Sequence, residues 1–341
     1  MPTDSGVVRN KRVTAHQVAG RAGVSISAVS RAFTPGASVS QITLSKVMIA
    51  AEELGYQPNI MARSLMTGRT DLIGLVSNNF DNPAFMEIFD LFTRRLQDCG
   101  LKPLLVNLSG NSDPEKAVAM LRQYNVDAVI VASSTVSKAF IDGCLAANIP
   151  LVHAFGKPMG RSAIHVVGAD NVQGGKLAAH TLLQLGYRNI AFLGGPRSAS
   201  STADRLRGFR GGLKVKGKVP AAEVFAQSYS HEDGRQAMCE LLADASIDAV
   251  FCGDDILAMG AMDACTENRK SVPEDIGILG FNDIAMASWA AYDLSTIRQP
   301  IAGIIVTAVE LAIKLLADHG LRPEPQRFPC ESVLRRTLRK A

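Results

Sequence analysis

The chain has 341 residues, a formal charge of +4 and 47% hydrophobic residues. It is too long for one ordinary domain, and its composition excludes a disordered or collagen-like chain. The charge is uneven: residues 1–69 carry eight basic side chains against three acidic ones (+5), and the remaining 272 carry 28 against 29 (−1). A small basic head on a near-neutral body predicts a polyanion-binding module attached to something else. No run of about 18 apolar residues could span a membrane, and residues 1–17 lack the apolar stretch of a secretory signal. The six cysteines are scattered, with no Cys-x-x-Cys pair, which favours reduced core thiols in a cytoplasmic protein over disulfides or zinc.

In chain order, Thr14-x-x-Gln17 reads as a capping box opening a first helix that runs to about Ala22. Gly23 permits a tight turn, and Ser25 caps a second helix through about Phe33. Small Ala19 and Gly23 let the two helices cross closely while Val29 fills the wedge, a helix-turn-helix pattern. After Pro35-Gly36, Ser40 caps a third helix that ends at Gly55. Such a pair could be packing alone. However, the exposed face of the second helix offers Ser25, Ile26, Ser27, Ser30 and Arg31, suited to base edges and phosphates. Pro58-Asn59 opens a segment, Ile60–Met66, with helical propensity but too short to be stable alone in water. Leu65 beside Arg63 fits insertion into a DNA minor groove; a linker helix with Leu65 packed on the body is the plainer alternative.

Two long motifs carry a resemblance. Val13-Thr14-x3-Val18-Ala19-x2-Ala22-Gly23-Val24-Ser25-x3-Val29-Ser30-Arg31, and then Leu54-Gly55-Tyr56-x-Pro58-Asn59-x2-Ala62-Arg63-Ser64-Leu65, resemble the lactose-repressor (LacI) family of bacterial transcription regulators. The resemblance implies a DNA-binding surface of Thr14, Ser25, Ile26, Ser27, Ser30 and Arg31, with Ser25, Ile26, Ser27 and Arg31 facing the major groove. It also implies a hinge helix containing Asn59, Ala62 and Leu65, with Leu65 intercalating at the centre of a palindromic operator. Two departures stand out: Ala28 where the family usually has Thr, and Thr34 where it usually has Asn.

From Asp71, short apolar runs alternate with amphipathic stretches. Leu72–Ser77, Lys102–Leu108, Ala128–Ala132 and Leu151–Phe155 read as parallel strands covered on both faces. Ile190–Leu193, Glu223–Gln227, Ala249–Cys252 and Ile276–Leu279 read the same way, after Asp170. Two doubly wound lobes are therefore expected, with helical Ile301–Leu316 returning to the first. The expected divisions are a helix-turn-helix domain at 12–57 and a hinge at 58–69. The N-terminal lobe takes 70–168 plus about 298–328, and the C-terminal lobe 169–297 plus about 329–341. The predicted fold is an all-α head plus an α/β core, and the resemblance extends over that core as the family's periplasmic-binding-protein-like unit.

In such sheets ligands bind at the carboxyl ends of the strands. Those ends carry Asn78, Asn79, Ser133, Ser134, His153 and Gly194-Gly195 in one stretch, and Tyr229, Asp254-Asp255 and Asn282-Asp283 in the other. Recurring polar groups with one aromatic suit a polyhydroxylated ligand. Arg205 lies in Arg-x-x-Gly-Phe, which matches the family's effector-binding arginine, and a guanidinium can grip paired hydroxyls or a carboxylate. By similarity Tyr229 packs on the ligand and Phe85 lines the first lobe's edge. Asp254 and Asn282 exchange amide for carboxylate relative to the family's usual order. The expected effector site is thus Asn78, Phe85, Arg205, Tyr229, Asp254 and Asn282.

Enzyme readings lack support. Asp255 reads as capping a helix from Ile256, Gly194-Gly195-Pro196 lacks the Lys-Ser/Thr of a phosphate loop, and the six histidines have no ligand spacing. His153 is a candidate cleft residue, whereas His180 and His319 read as helix-surface groups. No cofactor, metal or membrane is expected, and no heptad tail follows Leu338. The favoured function is a ligand-responsive repressor that binds a palindromic DNA operator as a homodimer, controlled by a sugar, sugar acid or similar small effector. A solute-binding protein for a sugar-like ligand is the alternative.

Overall fold

Capping chemistry defines the first three helices of the computed structural model, which describes residues 13–34, 36–57, 68–80, 82–110, 112–157, 164–318 and 320–340. The chain divides into two compact units, Met1–Thr70 and Asp71–Ala341. In the first lie α1 (Ala15–Ala22), α2 (Ile26–Ala32) and α3 (Gln41–Leu54). The Gln17 N–H donates to Thr14 Oγ1 at 3.4 Å and the Thr14 N–H to Gln17 Oε1 at 2.9 Å, a reciprocal cap. Gly23 then turns the chain with φ +65°, left-handed backbone that a Cβ would strain. Val18, Val29 and Val47 meet at the centre, each no more than 1% exposed. Such burial contributes roughly 1.5–3 kcal/mol per valine, so this small unit depends on three side chains.

The second unit contains two six-stranded sheets. The first is made of β1 (Leu72–Ser77), β2 (Lys102–Asn107), β3 (Ala128–Ala132), β4 (Leu151–Ala154), β5 (His165–Ala169) and β11 (Pro325–Phe328). Its order is β11-β5-β4-β3-β1-β2 with every pair parallel. Helices α4 (Pro83–Asp98), α5 (Pro114–Gln123) and α6 (Lys138–Ala146) connect the strands. The late helix α11 (Ile301–Ala317) packs on α4, β3, β4 and β5 and so belongs to this lobe.

The second sheet holds β6 (Ile190–Gly194), β7 (Glu223–Phe225), β8 (Ala249–Cys252), β9 (Gly277–Asn282), β10 (Thr296–Arg298) and β12 (Glu331–Val333). Its order is β12-β10-β9-β8-β6-β7, and β12 runs antiparallel to β10. The helices are α7 (Asn171–Gln184), α8 (Ser200–Lys214), α9 (His231–Leu241) and α10 (Asp255–Glu267). Every residue of β3, Ala-Val-Ile-Val-Ala, is buried, as layers on both faces require.

Four strands escape a sequence reading: β5, β10, β11 and β12. The last three are three or four residues long, and β11 contains Pro325 and Arg327 at a sheet edge, so pairing rather than pattern makes them strands. Conversely, β7 stops at Phe225 and β9 runs on to Asn282, three residues past Leu279.

The crossing of α7 and α8 is unusually close. A Cβ on Gly175 of α7 would lie 2.0 Å from the Arg205 carbonyl oxygen, and one on Gly208 of α8 would lie 2.0 Å from the Val172 carbonyl oxygen. The two helix backbones therefore touch, which brings Arg205 beside Asn171.

Candidate functional sites: a helix face and an interlobe cleft

Helix α2 buries Ala28 and Val29 and turns Ile26, Ser27 and Arg31 outward, with Ser30 partly exposed. Ser25 Oγ accepts from the Ala28 N–H at 3.2 Å and lies 2.9 Å from Ser27 Oγ. Thr14 is exposed, its hydroxyl donating to Gln17 Oε1 at 3.2 Å. Thr34 donates to the Ser30 carbonyl at 2.8 Å, a local bond that an asparagine there would make differently. Asn59, Ala62 and Leu65 lie outside the described residues.

In the second unit, a cavity of about 40 Å³ lies between the lobes. Phe85, Arg205, Tyr229, Asp254 and Asn282 line it. Asn78 does not: its Oδ1 accepts from the Ser133 and Thr135 hydroxyls, within the first lobe, and its neighbour Asn79 takes the cleft position. The chain turns after β1, so consecutive residues face opposite ways.

Arg205 is 5% exposed. Its Nε donates to Asn171 Oδ1 at 2.8 Å, its Nη1 donates to the Gly253 carbonyl, and its guanidinium carbon lies 3.6 Å from the centroid of the Phe281 ring. Burial pushes its pKa down, opposed chiefly by Tyr229 and Asp254. The Tyr229 hydroxyl lies 2.9 Å from both Ser201 Oγ and Thr202 Oγ1, and its ring occupies the space that a Cβ on Gly195 would need.

Asp254 caps α10: its Oδ1 accepts from the Ile256 N–H at 3.1 Å. Its Oδ2 accepts from Asn282 Nδ2 at 2.9 Å and from Asn82 Nδ2 at 3.3 Å, the latter across the cleft. Burial raises its pKa, and Arg205 is the largest opposing influence. The cap expected of Asp255 is thus made by its neighbour. Asp255 points away from the cleft, accepting from Thr296 Oγ1 at 2.6 Å and the Ile284 N–H at 3.0 Å, and burial pushes it up to about 7. Asp283 likewise leaves the cleft, pairing with Arg298 and Arg335.

His153 is not a cleft residue. It is 1% exposed, its Nε2 lies 2.7 Å from the Ser133 carbonyl oxygen, and burial holds its pKa down at about 4. His180 is exposed on α7, and His319 lies outside the described residues. Among the described residues, no group of His, Cys, Asp or Glu could hold a metal ion.

Several lining residues carry no clear mark in the sequence: Asn82, Asn171, Ser201, Phe155 and Gln299. Asn82-Pro83 is a helix-start signature after a strand, which could have placed Asn82 at the strand's carboxyl end. Gln299 follows the short strand β10 and donates to Asn282 Oδ1, fixing that amide's orientation. Further bonds close the seam: Ser201 Oγ to Ser134 Oγ at 3.1 Å, Ser200 Oγ to the Ser134 carbonyl at 3.2 Å, and the Ala285 N–H to Glu87 Oε1 at 2.8 Å.

A helix-turn-helix unit followed by a two-lobed, cleft-bearing α/β core defines a DNA-binding regulator with a built-in sensor. Residues 14–59 match the family described as bacterial regulatory proteins, lacI family, and residues 179–338 match a periplasmic binding protein-like domain. The transcriptional regulator DegA of Bacillus subtilis (strain 168) is 33% identical over 299 residues, covering 85% of this chain and 87% of DegA. The regulator CelR of Thermobifida fusca is 31% identical over 337 residues, covering 96% and 98%. Among solved structures, a lac repressor dimer bound to operator and the anti-inducer ONPF is similar with a TM-score of 0.84, at 28% identity over 96% of this chain and 99% of that one. A CelR–cellobiose complex is similar with a TM-score of 0.73, at 26% identity, covering 96% and 100%. The chain belongs to the lactose-repressor family of DNA-binding transcriptional regulators.

Proposed function

We propose that this protein is a repressor that binds a palindromic operator as a homodimer and is controlled by a small polyhydroxylated effector held between its lobes. The observation that carries the effector reading is the convergence of Arg205, Asp254, Asn82 and Asn282 on one small cavity. A hydroxyl both accepts and donates, so vicinal hydroxyls suit a guanidinium set near a carboxylate. At about 40 Å³ the cavity holds about three waters, against the 300–1,000 Å³ of a typical ligand pocket. Entry of an effector therefore parts the seam made by Asn82–Asp254, Ser134–Ser201 and Glu87–Ala285. The ligand then replaces those bonds, and its differential affinity for the open and closed cores shifts operator affinity.

On the DNA side, Ser25, Ile26, Ser27, Ser30 and Arg31 form the reading face, with Thr14 nearby on the backbone side. Asn59, Ala62 and Leu65 act as the hinge. The relatives DegA and CelR are regulators rather than enzymes, and the cleft carboxylate Asp254 is committed to a helix cap and two asparagine amides, which supports a binding role without chemistry. No helix among the described residues is long and apolar enough to cross a membrane. A regulator that works on DNA acts in the cytoplasm.

The test is a gel-shift titration against the gene's own upstream region at two salt concentrations, with a thermal-shift screen of sugars, sugar acids and nucleosides. A sequence-selective, salt-sensitive shift altered by whichever compound raises the melting temperature is expected. Equal affinity for unrelated DNA would sink the proposal.

A further inference from the structure

The outward face of α2 has an unusual chemistry for a surface meant to read hydrogen-bonding edges. Its first residue, Ile26, is 50% exposed although it is β-branched and apolar. Among the described residues, the other large exposed aliphatics of the head, Ile42, Met48 and Ile49, all lie on α3. The hydroxyls flanking Ile26 are turned partly toward each other, because Ser25 Oγ caps the helix at the Ala28 N–H and lies 2.9 Å from Ser27 Oγ. What α2 presents at its leading edge is therefore an exposed hydrocarbon side chain between two serines.

An aliphatic side chain can tell base pairs apart only through apolar contact. In the major groove just one of the four bases offers a methyl group, the C5-methyl of thymine. A β-branched residue in a helix is nearly fixed at χ1, so ordering it against a base costs little entropy. We propose that Ile26 is a specificity-determining residue that reads the 5-methyl group of a thymine in each operator half-site. The inference rests on α2 being the helix that enters the major groove.

The full-length protein is used to select sites from a random duplex pool. Each thymine of the best site is then replaced in turn by deoxyuridine, which lacks only the methyl group, at the matching position of both half-sites. Burial of one methyl predicts about a four-fold affinity loss per half-site at one position, so about fifteen-fold for the symmetric replacement. Ile26→Ala, truncating a half-exposed side chain, keeps the head's melting temperature, binds the unmodified site more weakly and becomes indifferent to uracil at that one position. Uracil sensitivity that persists in Ile26→Ala, or the absence of any sensitive thymine, would overturn the methyl assignment. If Ile26→Ala leaves affinity for every sequence unchanged, Ile26 makes no base contact and the inference falls; if Arg31→Ala also leaves specific binding unchanged, the premise that α2 reads the groove falls with it.

Discussion

Replacing Asp254 by Asn changes one atom, and the structure says why that atom matters. As a helix cap, asparagine serves as well as aspartate, so the bond from the Ile256 N–H survives. The other carboxylate oxygen accepts from two amides, Asn82 Nδ2 and Asn282 Nδ2. Neither amide can turn over freely. Asn82 Oδ1 accepts from the Ala84 N–H at 3.0 Å, and Asn282 Oδ1 accepts from Gln299 Nε2. An NH2 group at position 254 would therefore face two donors in a buried site. Losing two bonds to a charged acceptor costs about 1.5–3 kcal/mol each, and relief from burying a carboxylate returns part of it. We expect a net loss of about 3 kcal/mol, or roughly 6–12 °C in the melting temperature of the core. Adding Asn82→Ala removes one of the facing donors and should restore about 1 kcal/mol in a double-mutant cycle read by calorimetry. A single variant as stable as the parent, or strictly additive losses, would refute the network.

Other expectations follow from the same structure. Gly175→Ala should destabilise the core by about 3 kcal/mol or more, measured by urea unfolding, because its methyl meets the Arg205 backbone. Val29→Ala should cost about 2 kcal/mol in the head alone, abolishing operator binding in gel shifts while the core's thermal transition stays put. Stability should also depend on pH with two opposite signs. Asp255, raised to about 7 in the fold, keeps its proton where the unfolded chain has lost it, so its contribution falls as pH rises from about 4 to about 7. His153, lowered to about 4, makes stability rise from about pH 4 to 6.5. Unfolding free energies of Asp255→Asn and His153→Gln across pH 4–7 should each lose one of these trends; parallel profiles for both variants and parent would contradict the burial argument.

What the sequence determined by itself is whatever local chemistry dictates. Thr14-x-x-Gln17, Gly23, Ser25 and Ser40 encode the caps and turns of the head within a few residues of each other, so three helices and their family motif are legible from a string. Runs such as Ala128–Ala132 announce buried parallel strands for the same reason. That Tyr229, Asp254 and Asn282 line the cleft was also legible, because they sit at strand ends, whereas Arg205 and Phe85 were marked only by the family resemblance. The tertiary structure alone decided which of two adjacent residues faces the cleft. Asn79 lines it rather than Asn78, and Asp254 caps a helix while Asp255 turns into the core. Strand length and side-chain direction at a turn depend on what packs against them, and those neighbours lie far away in sequence. The cross-cleft bond from Asn82 to Asp254 joins residues 172 positions apart, a distance over which no periodicity or spacing carries information.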